Sequence, residues 1–145
     1  PQGVVVDLYE GLGELPHFNP DLDVAPWPPA VVDLRARIAA ADALLICSPE
    51  YARGVAGAMK NALDWMVSVE DFAGKPVALF NASPRATHAL AALRLTLETM
   101  AARVIDEAAM AVRLLGVPMS EDAIVADPEM AGNIRAALAA LSRSA

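Results

Sequence analysis

Two loops carry the side chains that could contact a ligand, and each follows an apolar run. Ser48–Trp65 reads SPEYARGVAGAMKNALDW and comes directly after the run Ala43–Cys47. Asn81–His88 reads NASPRATH and comes after a second apolar run, Val77–Asn81. In a parallel α/β sheet, ligands bind at the loops that leave the carboxyl ends of the strands. We therefore expect both loops to contact a ligand.

The first loop has residue types that suit a flat ligand. Gly54 and Gly57 would let such a ligand lie against the backbone. Pro49, Glu50 and Tyr51 would supply a wall and a polar edge. From the residues alone, a strand, a loop and a core helix without any ligand remain an open alternative.

Alternating strand and helix patterns surround the two loops. Apolar runs or alternation predict strands at Gly3–Tyr9, Ala43–Cys47, Val77–Asn81 and Arg103–Ile105, the last resumed across Ala109–Val112. Helical spacing and prolines at first turns predict helices at Ala30–Ala41 and Ala56–Val67, another after Ser83-Pro84 or Thr87, and a last one from Asp127-Pro128. The proline-rich segment Gly11–Pro29 is predicted to be a long loop, and Gly116–Met119 a turn. This order predicts a parallel sheet covered on both faces.

The segment Ser48–Trp65 resembles the PEY(N)-x(5–7)-KNALDW signature of the NADPH-dependent FMN reductase family. The resemblance extends from Val4 to about Val125 and implies a single flavodoxin-like α/β/α domain over residues 1–145. It also implies an NAD(P)H-dependent oxidoreductase that transfers a hydride from nicotinamide to FMN and then to a flavin or quinone acceptor. Two alternatives stay open: a flavodoxin-like electron carrier, and a non-catalytic interaction module that does not bind FMN.

The resemblance also implies which residues contact the cofactor. These are Pro49, Glu50, Tyr51 and Gly54 in the first loop and Ser83 and Arg85 in the second. No catalytic side chain is expected, because the flavin itself carries the hydride chemistry. The alternative role for Glu50 is a solvated or inter-subunit carboxylate, and the alternative role for Ser83 is a helix cap. Lys60 and Asp64 are expected on the helix surface or at an interface.

The family fold implies one further strand before Gly3–Tyr9, together with a loop that binds the FMN phosphate. In the flavodoxin-like strand order that strand is central. Neither is recognisable in the given residues. We therefore expect the flavodoxin-like domain to be incomplete at its N-terminus.

Composition narrows the function classes. The net charge is −7 and the basic residues are scattered, which argues against a nucleic-acid partner. No apolar run is long enough to cross a membrane. The single cysteine, Cys47, excludes an intramolecular disulfide. With only two histidines beside it, a metal site is unexpected. We expect Cys47 to be a small core residue and the protein to be cytoplasmic, and the family resemblance implies a homodimer or homotetramer.

Overall fold

The computed structural model describes residues 1–83, 85–111 and 120–145. The predicted turn at Gly116–Met119, the end of the predicted fourth strand at Val112, and Pro84 lie outside these residues.

From the first helix onward, the helices and strands follow the predicted order, with a two-stranded hairpin after the first strand and a short helix before the last one in addition. The elements are α1 (Pro29–Ala40), β1 (Leu44–Cys47), β2 (Glu50–Tyr51), β3 (Gly54–Val55), α2 (Gly57–Asp64), β4 (Pro76–Asn81), α3 (Thr87–Thr99), β5 (Arg103–Val104), β6 (Met110–Ala111), α4 (Glu121–Ala126) and α5 (Pro128–Ser144). No helix among the described residues is long and apolar enough to cross a membrane.

Strand β4 lies at the centre of a parallel sheet. One of its edges pairs with β1 in the register Leu44↔Val77 to Cys47↔Phe80. Its other edge pairs with β5 near its start and with β6 near its end. A 3-10 turn at Asp106–Ala108 separates β5 from β6, so the prediction of an interrupted fourth strand is confirmed for the described residues. The carboxyl ends of β1 and β4 therefore lie side by side.

Helices cover the sheet on two faces. Val77 and Leu79 of β4 pack in one core with residues of α1, α2 and α3, and Ala78 and Phe80 face a second core with Ala140 and Leu141 of α5. This alternation follows from the two-residue period of a strand. The predicted parallel sheet with helices on both faces is confirmed.

The predicted strand at Gly3–Tyr9 is wrong, because these residues form neither helix nor strand. Val5 is 92% exposed, and Val6 and Leu8 are also exposed. Tyr9 still packs against the core, and Arg37 holds the segment through an ion pair with Asp7 at 2.8 Å. A strand needs a neighbour for its N–H and C=O groups. No described strand pairs with this segment.

The prediction that Cys47 is buried is also wrong. Helix α5 contacts β4 and β6 on the second face of the sheet. Cys47 is exposed and Leu45, on the same face, is 39% exposed. An unbroken apolar run predicts a strand covered on both faces, but within the described residues only one face of β1 is well covered.

Helix boundaries agree with the predictions to within a few residues, with two differences. Helix α2 ends at Asp64, so Val67, the predicted last residue of this helix, lies in the following turn and is exposed. The short helix α4 lies before α5, outside any predicted element, and its N-cap Ser120 accepts a hydrogen bond from the Ala123 N–H. Helix α5 starts at Asp127-Pro128 as predicted, and Asp127 caps it by accepting a hydrogen bond from Met130 N–H at 2.9 Å.

The predicted long loop Gly11–Pro29 is ordered by side chains from the helices. Arg35 donates hydrogen bonds of 2.7 Å to Asp23 Oδ1 and to the carbonyl oxygen of Trp65. Ser68 donates to the other oxygen of Asp23 at 2.7 Å. This Ser68 hydrogen bond is the main cause that lowers the pKa of Asp23; burial opposes it and the hydrogen bond from Arg35 reinforces it. The network fixes the loop against α1 and the end of α2.

Candidate functional site

The first loop folds into a tight hairpin directly after β1. Strands β2 and β3 pair antiparallel, with Glu50 opposite Val55 and Tyr51 opposite Gly54. The two turn residues, Ala52 and Arg53, have φ angles of 50° and 61°. Both central residues of a type I′ turn have such left-handed angles, and that turn matches the twist of a hairpin. The hairpin therefore forms with turn residues that carry a steric cost.

The second loop is organised by its own side chains. Asn81 Oδ1 accepts the Ser83 N–H at 3.0 Å, and Asn81 Nδ2 donates to the Ala86 carbonyl oxygen at 3.4 Å. Ser83 Oγ accepts the Arg85 N–H at 3.4 Å. Such short-range bonds from Asn and Ser favour turns. The Ser83 hydroxyl proton is not used by this bond and can be donated to another acceptor.

A cavity of about 370 Å³ lies between the two loops, at the carboxyl ends of β1 and β4. This volume falls within the usual range of small-molecule sites. The described residues that line it are Cys47, Ser48, Pro49 and Glu50 on one side and Asn81, Ala82, Ser83, Arg85 and Ala86 on the other.

A hydrogen bond joins the two sides of the cavity. Glu50 Oε2 accepts the backbone N–H of Ala89 in the first turn of α3 at 2.8 Å. Neither Ser83 nor Thr87, the two predicted caps, caps this helix with its side chain. The first amides of a helix have no partner within the helix, and a carboxylate is favourable there. Glu50 therefore supplies the side-chain cap from 39 residues away in sequence.

Four of the six predicted cofactor residues share this cavity. Pro49, Glu50, Ser83 and Arg85 line it, whereas Tyr51 and Gly54 belong to the hairpin outside the described lining. Tyr51 is 66% exposed. A Cβ built on Gly54 would meet only the Tyr51 carbonyl oxygen at 3.5 Å, an ordinary contact, so sterics do not require glycine there.

The cavity is also lined by residues that are not among the predicted cofactor contacts. Ser48 and Asn81 stand where the chain leaves β1 and β4, and Cys47 is the last residue of β1. Their positions at strand ends are the signal that could have identified them, since side chains there face the binding edge. Lys60 and Asp64 form an ion pair with each other on α2, as expected for surface residues. No group of three His, Cys, Asp or Glu side chains that could hold a metal occurs in the described part of the chain.

Known proteins resemble this chain in sequence and in structure. The NAD(P)H-dependent FMN reductase PA1204 of Pseudomonas aeruginosa is 42% identical over 85 residues, which are 57% of this chain and 45% of that protein. A quinone reductase of Escherichia coli strain K12 is 34% identical over 86 residues, covering 57% of this chain and 46% of that protein. The matched segments thus span less than half the length of these relatives.

A solved structure extends the likeness over most of the fold. FerB, a flavoenzyme NAD(P)H:(acceptor) oxidoreductase from Paracoccus denitrificans, superposes with a TM-score of 0.76 and 30% identity. The superposition covers 92% of this chain and 78% of FerB. The predicted flavodoxin-like fold is confirmed. The sequence also matches the family described as NADPH-dependent FMN reductase over residues 1–114. The chain therefore belongs to the NADPH-dependent FMN reductase family.

Proposed function

We propose that the cavity between the two loops holds the ring of FMN and that the protein is an NAD(P)H-dependent oxidoreductase. The observation that carries this proposal is the cavity itself, which lies at the carboxyl ends of two adjacent parallel strands. Small and apolar residues on its walls, among them Pro49, Ala82 and Ala86, suit a flat aromatic ring. Membership of the FMN reductase family supports the same ligand.

Ser83 and Arg85 supply two of the polar side chains that line this cavity. The Ser83 hydroxyl can donate its proton to an acceptor at the edge of the ring while accepting from Arg85 N–H. Arg85 supplies the cationic side chain among the described lining residues and would attract phosphate groups of a dinucleotide. Pro49 would bound the ring on the opposite side.

Bound FMN would supply the redox chemistry, taking a hydride from NAD(P)H and delivering it to a flavin or quinone. The protein then has to hold the ring flat, orient its reacting face and limit the access of water. These tasks need backbone and small side chains rather than an acid–base cluster, and they match the residues that line the cavity. We therefore assign no catalytic side chain.

Titration of the purified protein with FMN tests the binding step. We expect a saturable change in the flavin absorbance and fluorescence spectra. Ser83→Ala and Arg85→Ala should weaken this binding, whereas Arg143→Ala, a change on the exposed last turn of α5, should leave it unchanged. If the protein causes no spectral change at any FMN concentration, the proposal is wrong.

Steady-state oxidation of NADPH and NADH tests the enzyme. We expect NAD(P)H consumption that depends on FMN and on added flavin or quinone. Flavin binding without NAD(P)H consumption would identify an electron carrier, and an absence of flavin binding would favour an interaction module.

We further propose that the protein acts in the cytoplasm as a homodimer or homotetramer. Exposed apolar side chains support association, and among them are Leu45, Val67 and Leu95. Sedimentation or size-exclusion chromatography with light scattering should show a mass of two or four chains. A monomer at micromolar concentration would contradict the oligomer.

A further inference from the structure

One hydrogen bond links the two walls of the cavity to each other. Among the described residues, no other hydrogen bond joins the Ser48–Val55 segment to the Asn81–Ala89 segment besides that from Ala89 N–H to Glu50 Oε2. The remaining bonds of each loop are local, such as those of Asn81 to Ser83 and Ala86. The relative position of the walls therefore depends on packing and on this bond.

The bond also has favourable surroundings. Glu50 is half-buried and Ala89 is buried, so water competes less than at an open helix end. Its carboxylate lies at the N-terminus of α3, where the helix dipole favours negative charge. Glu50 is opposite Val55 in the hairpin, and the hairpin packs against α3. A displacement of one wall should therefore displace the other.

We propose that Glu50 is a positioning residue whose carboxylate clamps the hairpin wall to α3 and so sets the spacing of the cavity for a flat ring. This inference rests on the proposed function for the identity of the ring, but not for the clamp. In this arrangement the Glu50 carboxylate accepts the Ala89 N–H. The ring contacts neighbouring backbone and small side chains. Glu50 acts on the ligand only through the geometry of the two walls.

The variants Glu50→Ala and Glu50→Gln separate this role from direct contact. Glutamine keeps an oxygen acceptor for Ala89 N–H, whereas alanine removes it. Glu129→Ala is the matched control, because it removes a carboxylate from the first turn of another helix, α5. The first measurement is amide hydrogen exchange of the flavin-free protein, and the second is FMN affinity.

For Glu50→Ala we expect exchange about tenfold faster at Ala89 and also at Tyr51 and Gly54 in the hairpin, since a lost hydrogen bond of this kind corresponds to about that factor. FMN affinity should fall by a similar factor of about ten. Glu50→Gln keeps the acceptor but loses the charge that the helix dipole favours, so it should lie between the unmodified protein and Glu50→Ala in both measurements. The Glu129→Ala control should change neither.

Two results would overturn the clamp. In one, Glu50→Ala accelerates exchange at Ala89 alone, with the hairpin and FMN affinity unchanged, which would make Glu50 only a helix cap. In the other, Glu50→Gln shows normal exchange but weak FMN binding, which would mean that the charge contacts the ring. If the unmodified protein does not bind FMN, the proposed function fails, while the exchange measurements still decide whether Glu50 links the walls.

Discussion

The side-chain amide of Asn61 pairs with the backbone of the long loop at Phe18, whose N–H donates to Asn61 Oδ1 at 2.8 Å. The Nδ2 atom of Asn61 donates to the Pro16 carbonyl oxygen at 3.0 Å, and Trp65 Nε1 donates to the same oxygen at 2.8 Å. Phe18 contacts the Trp65 ring edge to face, with ring centroids 5.0 Å apart. Asn61 and Trp65 of the KNALDW segment therefore hold the loop Gly11–Pro29 in place.

Replacing Asn61 by alanine should detach this loop from α2. The change leaves the Phe18 N–H and the Pro16 carbonyl oxygen with fewer partners, and we expect a loss of about 1–3 kcal/mol in the free energy of unfolding. Urea denaturation measures this loss. The neighbouring change Lys60→Ala removes only an exposed ion pair on the same helix and should cost less than about 1 kcal/mol. Equal losses in the two variants would contradict the anchoring role of Asn61.

Much of the fold could be predicted because it depends on local pattern. The apolar runs at β1 and β4 and the helical spacing in α1, α3 and α5 are properties of consecutive residues, and they predicted these elements to within a few positions. The segment Gly3–Tyr9 also has a strand pattern, but a strand exists only when another strand pairs with it. Pairing is a property of distant residues, so the pattern alone could not decide the outcome.

The candidate site was predictable to a similar extent. The strand-end positions of the two loops, together with the family resemblance, predict Pro49, Glu50, Ser83 and Arg85 as cofactor contacts, and these four residues line one cavity. The direction of the Glu50 side chain could not be read from sequence, because its partner Ala89 is 39 residues away and offers only a backbone N–H. Every residue except proline carries a backbone N–H, so the residue type at a position does not indicate such a bond. For the same reason the sequence predicts the start of α3 at nearby Ser83 or Thr87, and neither side chain caps it.

The Asp23 network should make stability depend on pH in the acid range. A carboxyl group with a lowered pKa in the folded state stabilises the protein above its unfolded pKa of about 3.9. That contribution is lost as the pH falls through the lower pKa of the folded state. We expect Asp23→Asn to lose about 1–3 kcal/mol at pH 7, and this difference from the unmodified protein should shrink below about pH 3.9.

Thermal and urea unfolding between pH 7 and pH 3 check this expectation. Asp21→Asn is the control, because Asp21 is an exposed carboxylate in the same loop and makes no such network. A difference between the Asp23 variant and the unmodified protein that stays constant down to pH 3 would show that charge on Asp23 is not the cause.

Two substitutions in the β2–β3 turn should stabilise the protein. Ala52 and Arg53 occupy left-handed angles that cost about 1–2 kcal/mol per ordinary residue, whereas Asn-Gly is preferred in this turn type. We expect Ala52→Asn with Arg53→Gly to raise the free energy of unfolding by about 1–2 kcal/mol. The control Ala58→Gly places glycine in α2 and should destabilise by about 0.5–1 kcal/mol. A double variant no more stable than the unmodified protein would argue against the strained turn.

Cys47 should react with a thiol reagent in the native protein, and a ligand in the cavity should slow that reaction. It is the one cysteine in the sequence, so the measured thiol signal belongs to this residue alone. Its side chain is exposed at the end of β1 and lines the cavity, so a ring lying there would cover it. We expect rapid modification by dithionitrobenzoate without FMN and a rate that falls in proportion to the fraction of protein occupied by FMN.

NADPH added without FMN should protect less than FMN, because the ring site lies beside Cys47. An inert thiol in the flavin-free native protein would show that β1 is covered on the face described as open. Equal rates with and without saturating FMN would place the ring away from the end of β1.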